Sequence, residues 1–236
     1  MALKIRIWGR GCFGELVITM RDPVKKFLRE TELEQIESCV RDAEHTTRGE
    51  IVVMVAPASH DYRVAGLLGA AAVSIPAAVF LARMIGQFVW AGPHDLWVFL
   101  GILFPLFFLC NEIVMRFPRL KRLFIPDKEM DQEVREAATI HFFSKGLYRT
   151  REETGVLIYL SILEGKVWVL GDRGVDAAAP PGFWQEIVDQ VVAGIREGRQ
   201  AAAICAAVGR IRGVLAEKFP AAPNDTNELP NLIVGA

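Results

Sequence analysis

The sequence predicts an α/β fold, a small mixed sheet between helices, interrupted by an inserted two-helix transmembrane hairpin. Three observations predict it. Residues 64–82 and 96–115 are long apolar segments on either side of a short break at 91–95. A helical pattern running into the β-branched run EIVVMVA precedes them, and the order helix, strand, strand, helix, helix follows them. Alternating elements of this kind make a layered α/β domain, here with the first two strands parallel and the last two antiparallel. The resulting plan is an N-terminal extension (1–30), a first part of the α/β domain (31–63), the hairpin (64–115), a second part of the domain (116–219) and a flexible tail (220–236).

The opening MALKIRIWGRGCFGELVIT is broken by charges and glycines and lacks the apolar core of a secretory signal. Met20 opens a better-behaved segment and is a candidate translation start alongside Met1. Over residues 31–47, Leu33, Ile36, Val40 and Ala43 recur at helical spacing, and Thr31 with Glu34 has the pattern of a capping box. Residues 50–56 then fit a strand covered on both faces.

Residues 64–82 carry no charge, and 96–115 carry only Glu112. A helix rising about 1.5 Å per residue needs about 20 residues to cross a hydrocarbon core of about 30 Å, so both segments are long enough. Neither has the polar face of a buried hairpin in a soluble core. Arg63 precedes the first segment, and Arg116, Arg119, Lys121 and Arg122 follow the second, whereas the connecting loop has His94 and Asp95 but no lysine or arginine. The positive-inside rule therefore places both termini and the α/β domain on the cytoplasmic face of a plasma (inner) membrane, with the chain multi-pass. Arg83 reads as an interface anchor beside Trp90, and Pro76 and Pro105 predict kinks. Arg116, Arg119, Lys121 and Arg122, mixed with Phe117, Leu120, Leu123 and Phe124, read as a membrane-surface segment on an anionic leaflet.

After the hairpin, Pro126-Asp127 starts a helix whose stripe is Met130, Val134, Ala137, Ala138 and Phe142, ended by Gly146; His141 at its edge reads as a packed residue. Residues 155–163 read as a buried strand, Glu164-Gly165 as a two-residue turn and 166–170 as its antiparallel partner. Helices follow over 183–197 and 200–218, and the tail from Pro220 reads as loose, with 231–234 able to dock on a partner. The net charge of -1, with the basic residues gathered beside the hairpin, excludes a general attraction to nucleic acid. Cysteines 12, 39, 110 and 205 have no C-x-x-C spacing, suggest neither a zinc site nor a disulfide framework, and fit a reduced cytoplasmic protein.

Three segments carry a family resemblance: Arg48-Gly49-Glu50-Ile51-Val52-Val53 after the amphipathic helix, Glu153-Thr154-Gly155-Val156-Leu157-Ile158 at the second strand, and 166–171 followed by two helices. Together, over roughly residues 31–220 with the hairpin excised, the chain resembles the TPM domain family. The resemblance implies a mixed sheet between helices, weak acid phosphatase activity, metal binding near acidic residues of the edge loops, and a role in assembly or turnover of membrane complexes. The chain has Glu153-Thr154 where the family commonly carries an Asp-Asn pair.

No nucleophile elbow, P-loop, H-E-x-x-H or cysteine-arginine phosphate loop occurs, so no catalytic residue is named. The acidic candidates are Glu153, Glu164, Asp172 and Asp176, at the ends of the hairpin strands, where carboxylates and the flexible loop 171–174 offer oxygens for Ca²⁺ or Mg²⁺. The leading expectation is a non-catalytic accessory, assembly or maintenance factor, seated in the lipid bilayer and bound to a membrane protein partner. Its hairpin would make lateral contacts through small residues such as Gly66, Gly69, Ala70 and Ala77. The alternatives are a weak metal-assisted acid phosphatase and a subunit of an oligomeric channel or transporter; for the latter one hairpin needs several copies, and Arg83 and Glu112, near opposite faces, do not form a pathway.

Overall fold

A computed structural model describes residues 23–88, 95–150, 152–221 and 230–234. The alternative start at Met20, Cys12, and Trp90 and His94 of the connecting loop lie outside these residues. In chain order the elements are α1 (Pro23–Phe27), α2 (Glu30–Glu44), β1 (Ile51–Ala56), α3 (Arg63–Phe88), α4 (Asp95–Arg116), α5 (Pro118–Leu123), α6 (Asp127–Ser144), β2 (Val156–Ser161), β3 (Lys166–Gly171), α7 (Arg173–Ala178), α8 (Phe183–Arg196), α9 (Gln200–Lys218) and β4 (Leu232–Val234).

The sheet order is β3-β2-β1-β4. β1 and β2 are parallel, with Ile51 beside Val156 and Ala56 beside Ser161, and β3 returns antiparallel to β2. Both central strands are buried at every position, as a continuous β-branched run requires when helices cover both faces. Ile51, Val53 and Val55 with Val156, Ile158 and Leu160 face α2, α8 and α9. The alternate residues Val52, Met54, Leu157 and Tyr159 face Val134, Ala138 and Phe142 of α6. The period-two alternation of a strand thus feeds two separate cores.

Several expectations are corrected. Val24 and Leu28, within the stretch read as an extension, are buried in the α2-side core. The helix starts at Glu30, and it is Glu32, not Glu34, whose carboxylate accepts from a backbone N–H, that of Arg29 at 2.7 Å. The β2–β3 connection spans Ile162 to Gly165 between the paired Ser161 and Lys166, with Gly165 at φ 61°, so it is longer than a two-residue turn. The loop after Gly171 is helical, since Asp172 caps α7 by accepting from the Arg173 N–H at 2.8 Å. The end of the tail is not loose: β4 pairs parallel with β1, and the Val53 N–H donates to the Asn231 carbonyl at 3.1 Å. That pairing covers what would otherwise be an open edge of the most buried strand.

The reading of four cysteines without a disulfide is also overturned. Cys39 on α2 and Cys205 on α9 form a disulfide across a sequence separation of 166. Spacing rules cannot see a pair that only the packing of the first part against the second brings together.

α3 and α4 lie against each other, and the stretches Arg63–Ile85 and Leu96–Arg116 are long and apolar enough to cross a membrane by length and composition. Pro76 and Pro105 lie inside unbroken helices. Gly66, Ala70, Ser74 and Ala78, spaced by four, are buried on α3. A Cβ on Gly66 would stand 2.6 Å from Met115 Sδ, and one on Gly69 would stand 2.7 Å from Phe124 Cδ2. These small residues therefore close the hairpin on itself and onto the chain after it, instead of offering lateral contacts as expected. The outward surface is bulky: Leu68, Phe80, Trp97 and Phe104 are 58%, 65%, 71% and 69% exposed.

Candidate functional site

Parallel strands open their carboxyl ends on the same side of a sheet, where α/β proteins place ligand-binding loops. Here β1 leaves through residues 57–62 into α3, and β2 leaves through 162–165 into β3. The two exits are tied by backbone bonds from Ile162 N–H to the Ala56 carbonyl and from Leu163 N–H to the Pro57 carbonyl, both 3.0 Å.

Glu164 lies fully buried between them. Its Oε1 accepts from the Ser59 N–H at 2.9 Å and from the Tyr62 hydroxyl at 2.9 Å, and its Oε2 accepts from the Ser161 hydroxyl. A buried carboxylate is tolerable only when its lone pairs are met in this way. The Ser59 hydroxyl also pairs with the Tyr159 hydroxyl at 3.2 Å, and the His141 ring stacks on Tyr159 at 5.8 Å between centroids. Burial, first, and then the hydrogen bond to Glu164 hold the Tyr62 hydroxyl protonated far above its ordinary range. Burial raises Tyr159 and lowers His141, the latter aided by the nearby Lys145 charge. Tyr62, Tyr159 and His141 are thus all pushed toward their neutral forms.

Tyr62 stands at φ 44°, the left-handed region that a bulky residue rarely adopts. Three contacts keep it there. Its N–H donates to His60 Nδ1 at 3.0 Å, its hydroxyl reaches Glu164, and Lys121 Nζ from α5 lies 5.8 Å from its ring centroid. Lys121 also donates to the Asp61 carbonyl, and the Arg122 guanidinium lies against Gly165. An open cleft of about 440 Å³ lined by residues 57–61 lies beside this junction. Tyr62, Ala65, Ile125 and Met130 form a small buried apolar cluster.

The acidic candidates do not converge. Glu164 belongs to this end of the sheet, whereas Glu153, Asp172 and Asp176 lie at the other, where the Asp172 N–H donates to the Gly155 carbonyl and the Gly174 N–H to that of Glu153. Glu153 is exposed at φ 53°, Asp172 caps α7, and Asp176 accepts from Trp184 Nε1–H at 2.6 Å. Among the described residues, no group of three or more His, Cys, Asp or Glu side chains is disposed to hold a metal ion. Of the surface cations, Arg116 and Arg122 are exposed, Lys121 is turned onto Asp61 and Tyr62, and the side chain of Arg119 lies outside the described residues. A second open cleft, about 690 Å³ between α6 and β3, is bordered by Asp131, paired with Lys166 at 2.5 Å, and by Arg135, which lies over the Trp168 ring at 5.9 Å.

Sequence reasoning missed Ser59, Tyr62, Tyr159 and Ser161. Their only signal is a polar residue at the end of each of two apolar runs, which becomes meaningful once those runs are paired.

Residues 121–214 match the family model of the TPM domain. The chain carries a TPM domain. The matched segment begins in α5 and ends in α9, so it holds β2, β3 and all four acidic candidates, while α2 and β1 lie on the far side of the hairpin. Among solved structures, the fold is similar to the NMR structure of the BA42 protein from the psychrophilic bacterium Bizionia argentinensis, with a TM-score of 0.55 and 19% identity over 90% of this chain and 98% of that one. That likeness is one of fold. No curated protein matches the chain significantly. The α/β fold is assembled from two stretches of chain, of which the match covers the second, and Glu164 is where the second stretch grips the entry to the inserted helices.

Proposed function

We propose that this TPM-domain protein is a membrane-anchored, non-catalytic accessory factor that assists the assembly or maintenance of a membrane protein complex. The observation that carries the reading is the junction itself. Glu164, on the domain, holds both Ser59 and Tyr62 immediately ahead of α3, so domain and hairpin are coupled as one body. A mere tether needs no such coupling; a protein that transmits binding between a bilayer partner and an aqueous one does.

Bulky side chains on the outward hairpin surface face lipid and a partner's spans, and α5 with Arg116, Arg119, Lys121 and Arg122 rests on the anionic leaflet of the cytoplasmic face. Each basic residue near such a surface adds about 1 kcal/mol of attraction. The separation of Glu164 from Glu153, Asp172 and Asp176 favours this reading over a metal-assisted phosphatase, whose carboxylates must share one centre.

The test is crosslinking in native membranes, affinity purification in mild detergent and identification of what is retained, with phosphate release assayed in the same preparation with and without divalent cation. A defined stoichiometric partner without turnover supports the accessory role. Cation-dependent turnover without a partner replaces it with a hydrolase.

A further inference from the structure

The hairpin splits the α/β domain, so α2 is contributed by the first stretch and α9 by the second. They pack side by side on one face of the sheet, and the Cys39–Cys205 disulfide joins them with a Cα–Cα distance of 5.7 Å. The contact does not depend on the bond. Ile36, Val40 and Ala43 of α2 and Ile204, Ala207, Val208 and Ile211 of α9 are buried in the shared core, enough apolar surface to hold the helices together with the cysteines reduced.

Both cysteines are partly exposed, within reach of small thiols. The Gln35 carbonyl oxygen, one turn before Cys39, lies 3.8 Å from Cys205 Sγ, so a reduced Cys205 thiol has an acceptor waiting. The pair therefore has a place in the fold in either state. Accessible disulfides are the exchangeable ones, and a thiol pair on the cytoplasmic face of a membrane meets a reducing pool at rest.

We propose that Cys39 and Cys205 are a reversible thiol–disulfide site that takes low-molecular-weight disulfides as oxidants and dithiols as reductants, and that its closure locks the two stretches of the split domain together. This rests on the cytoplasmic orientation given above. In the forward step one cysteine thiolate attacks a sulfur of the small disulfide, forming a mixed disulfide and releasing one small thiol. The other cysteine thiolate then attacks the protein sulfur of that mixed disulfide, forming the Cys39–Cys205 bond and releasing the second small thiol. The cysteines lose two electrons and two protons, and the small disulfide gains them.

The test uses the full chain in native membranes. Thiols are trapped with an alkylating reagent at lysis, after treatment with glutathione disulfide, or after treatment with dithiothreitol, and the alkylated cysteines are mapped by mass spectrometry, with hydrogen exchange of α2 and α9 followed in parallel. The expected result is alkylation of Cys39 and Cys205 at lysis, protection after the oxidant, recovery after the reductant, and slower exchange of α2 in the oxidised state. Cys205→Ser should leave Cys39 as a mixed disulfide with glutathione and abolish the slowing. Protection already present at lysis would mean a permanent structural disulfide in an oxidising compartment, and would overturn both the switch and the orientation. Unchanged alkylation after the oxidant, or identical exchange in both states, would overturn the switch alone and leave the accessory role standing.

Discussion

The Tyr62 hydroxyl donates to Glu164 Oε1 across 2.9 Å, joining the residue before α3 to the turn between β2 and β3. The partners are 102 residues apart in sequence, and both are buried. Through this bond a left-handed tyrosine, unfavourable by itself, becomes the fixed point from which the first long apolar helix departs.

Glu164→Ala should cost about 3 kcal/mol, because it removes the shared acceptor of the Ser59 N–H and the Tyr62 and Ser161 hydroxyls, two of which are buried. Tyr62→Phe removes one partner of that carboxylate and should cost about 1 kcal/mol. Denaturant unfolding in detergent, with hydrogen exchange read over residues 57–62, checks both. Equal effects of the two changes would show that Glu164 is not the hub.

Gly155 precedes β2 under the backbone of the 147–149 turn, where an added Cβ would lie 2.4 Å from the Leu147 carbonyl oxygen. Backbone cannot step aside as a flexible side chain can, so Gly155→Ala should destabilise by about 2 kcal/mol. Gly209, exposed in α9 with nothing within 4 Å of its would-be Cβ, is the matched control. There alanine should add about 0.5–1 kcal/mol through helix propensity. Thermal unfolding of the two variants should move in opposite directions.

The Glu44 carboxyl at the end of α2 is raised to about 8, by burial first and by the neighbouring Glu50 charge, against the opposing hydrogen bonds from the Ile51 N–H and Asn231. Its folded form holds the proton more tightly than its unfolded form. The stability it contributes is present below the ordinary carboxylate range, near 4.5, and is lost as pH rises toward about 8. Unfolding midpoints should therefore decline across that window, and Glu44→Gln should flatten the decline. An unaltered slope in the variant would assign it to another group.

If the basic flanks set the orientation, a membrane-impermeant maleimide applied to intact cells should label a cysteine placed at His94 and spare one placed at Glu197. The reverse pattern would put the TPM domain outside.

The alternation of apolar runs and breaks made the long helices, the three long strands and the two apolar spans legible, because burial on one face or both leaves its period in the sequence. Val52 and Val53 announce a doubly covered strand wherever that strand sits. Contacts between distant residues leave no such period: Ser59, Tyr62 and Ser161 look like ordinary loop residues until parallel pairing of β1 and β2 brings their exits together around Glu164. The same holds for Cys39 and Cys205, for the α3 glycines that face Met115 and Phe124, and for a tail whose three residues become a strand only beside β1. The sequence by itself determined the long elements and their apolar faces, which are local consequences of side-chain pattern. The tertiary structure alone decided which polar groups meet, since a hydrogen bond or a disulfide depends on ångström-scale approach between segments that the chain holds far apart.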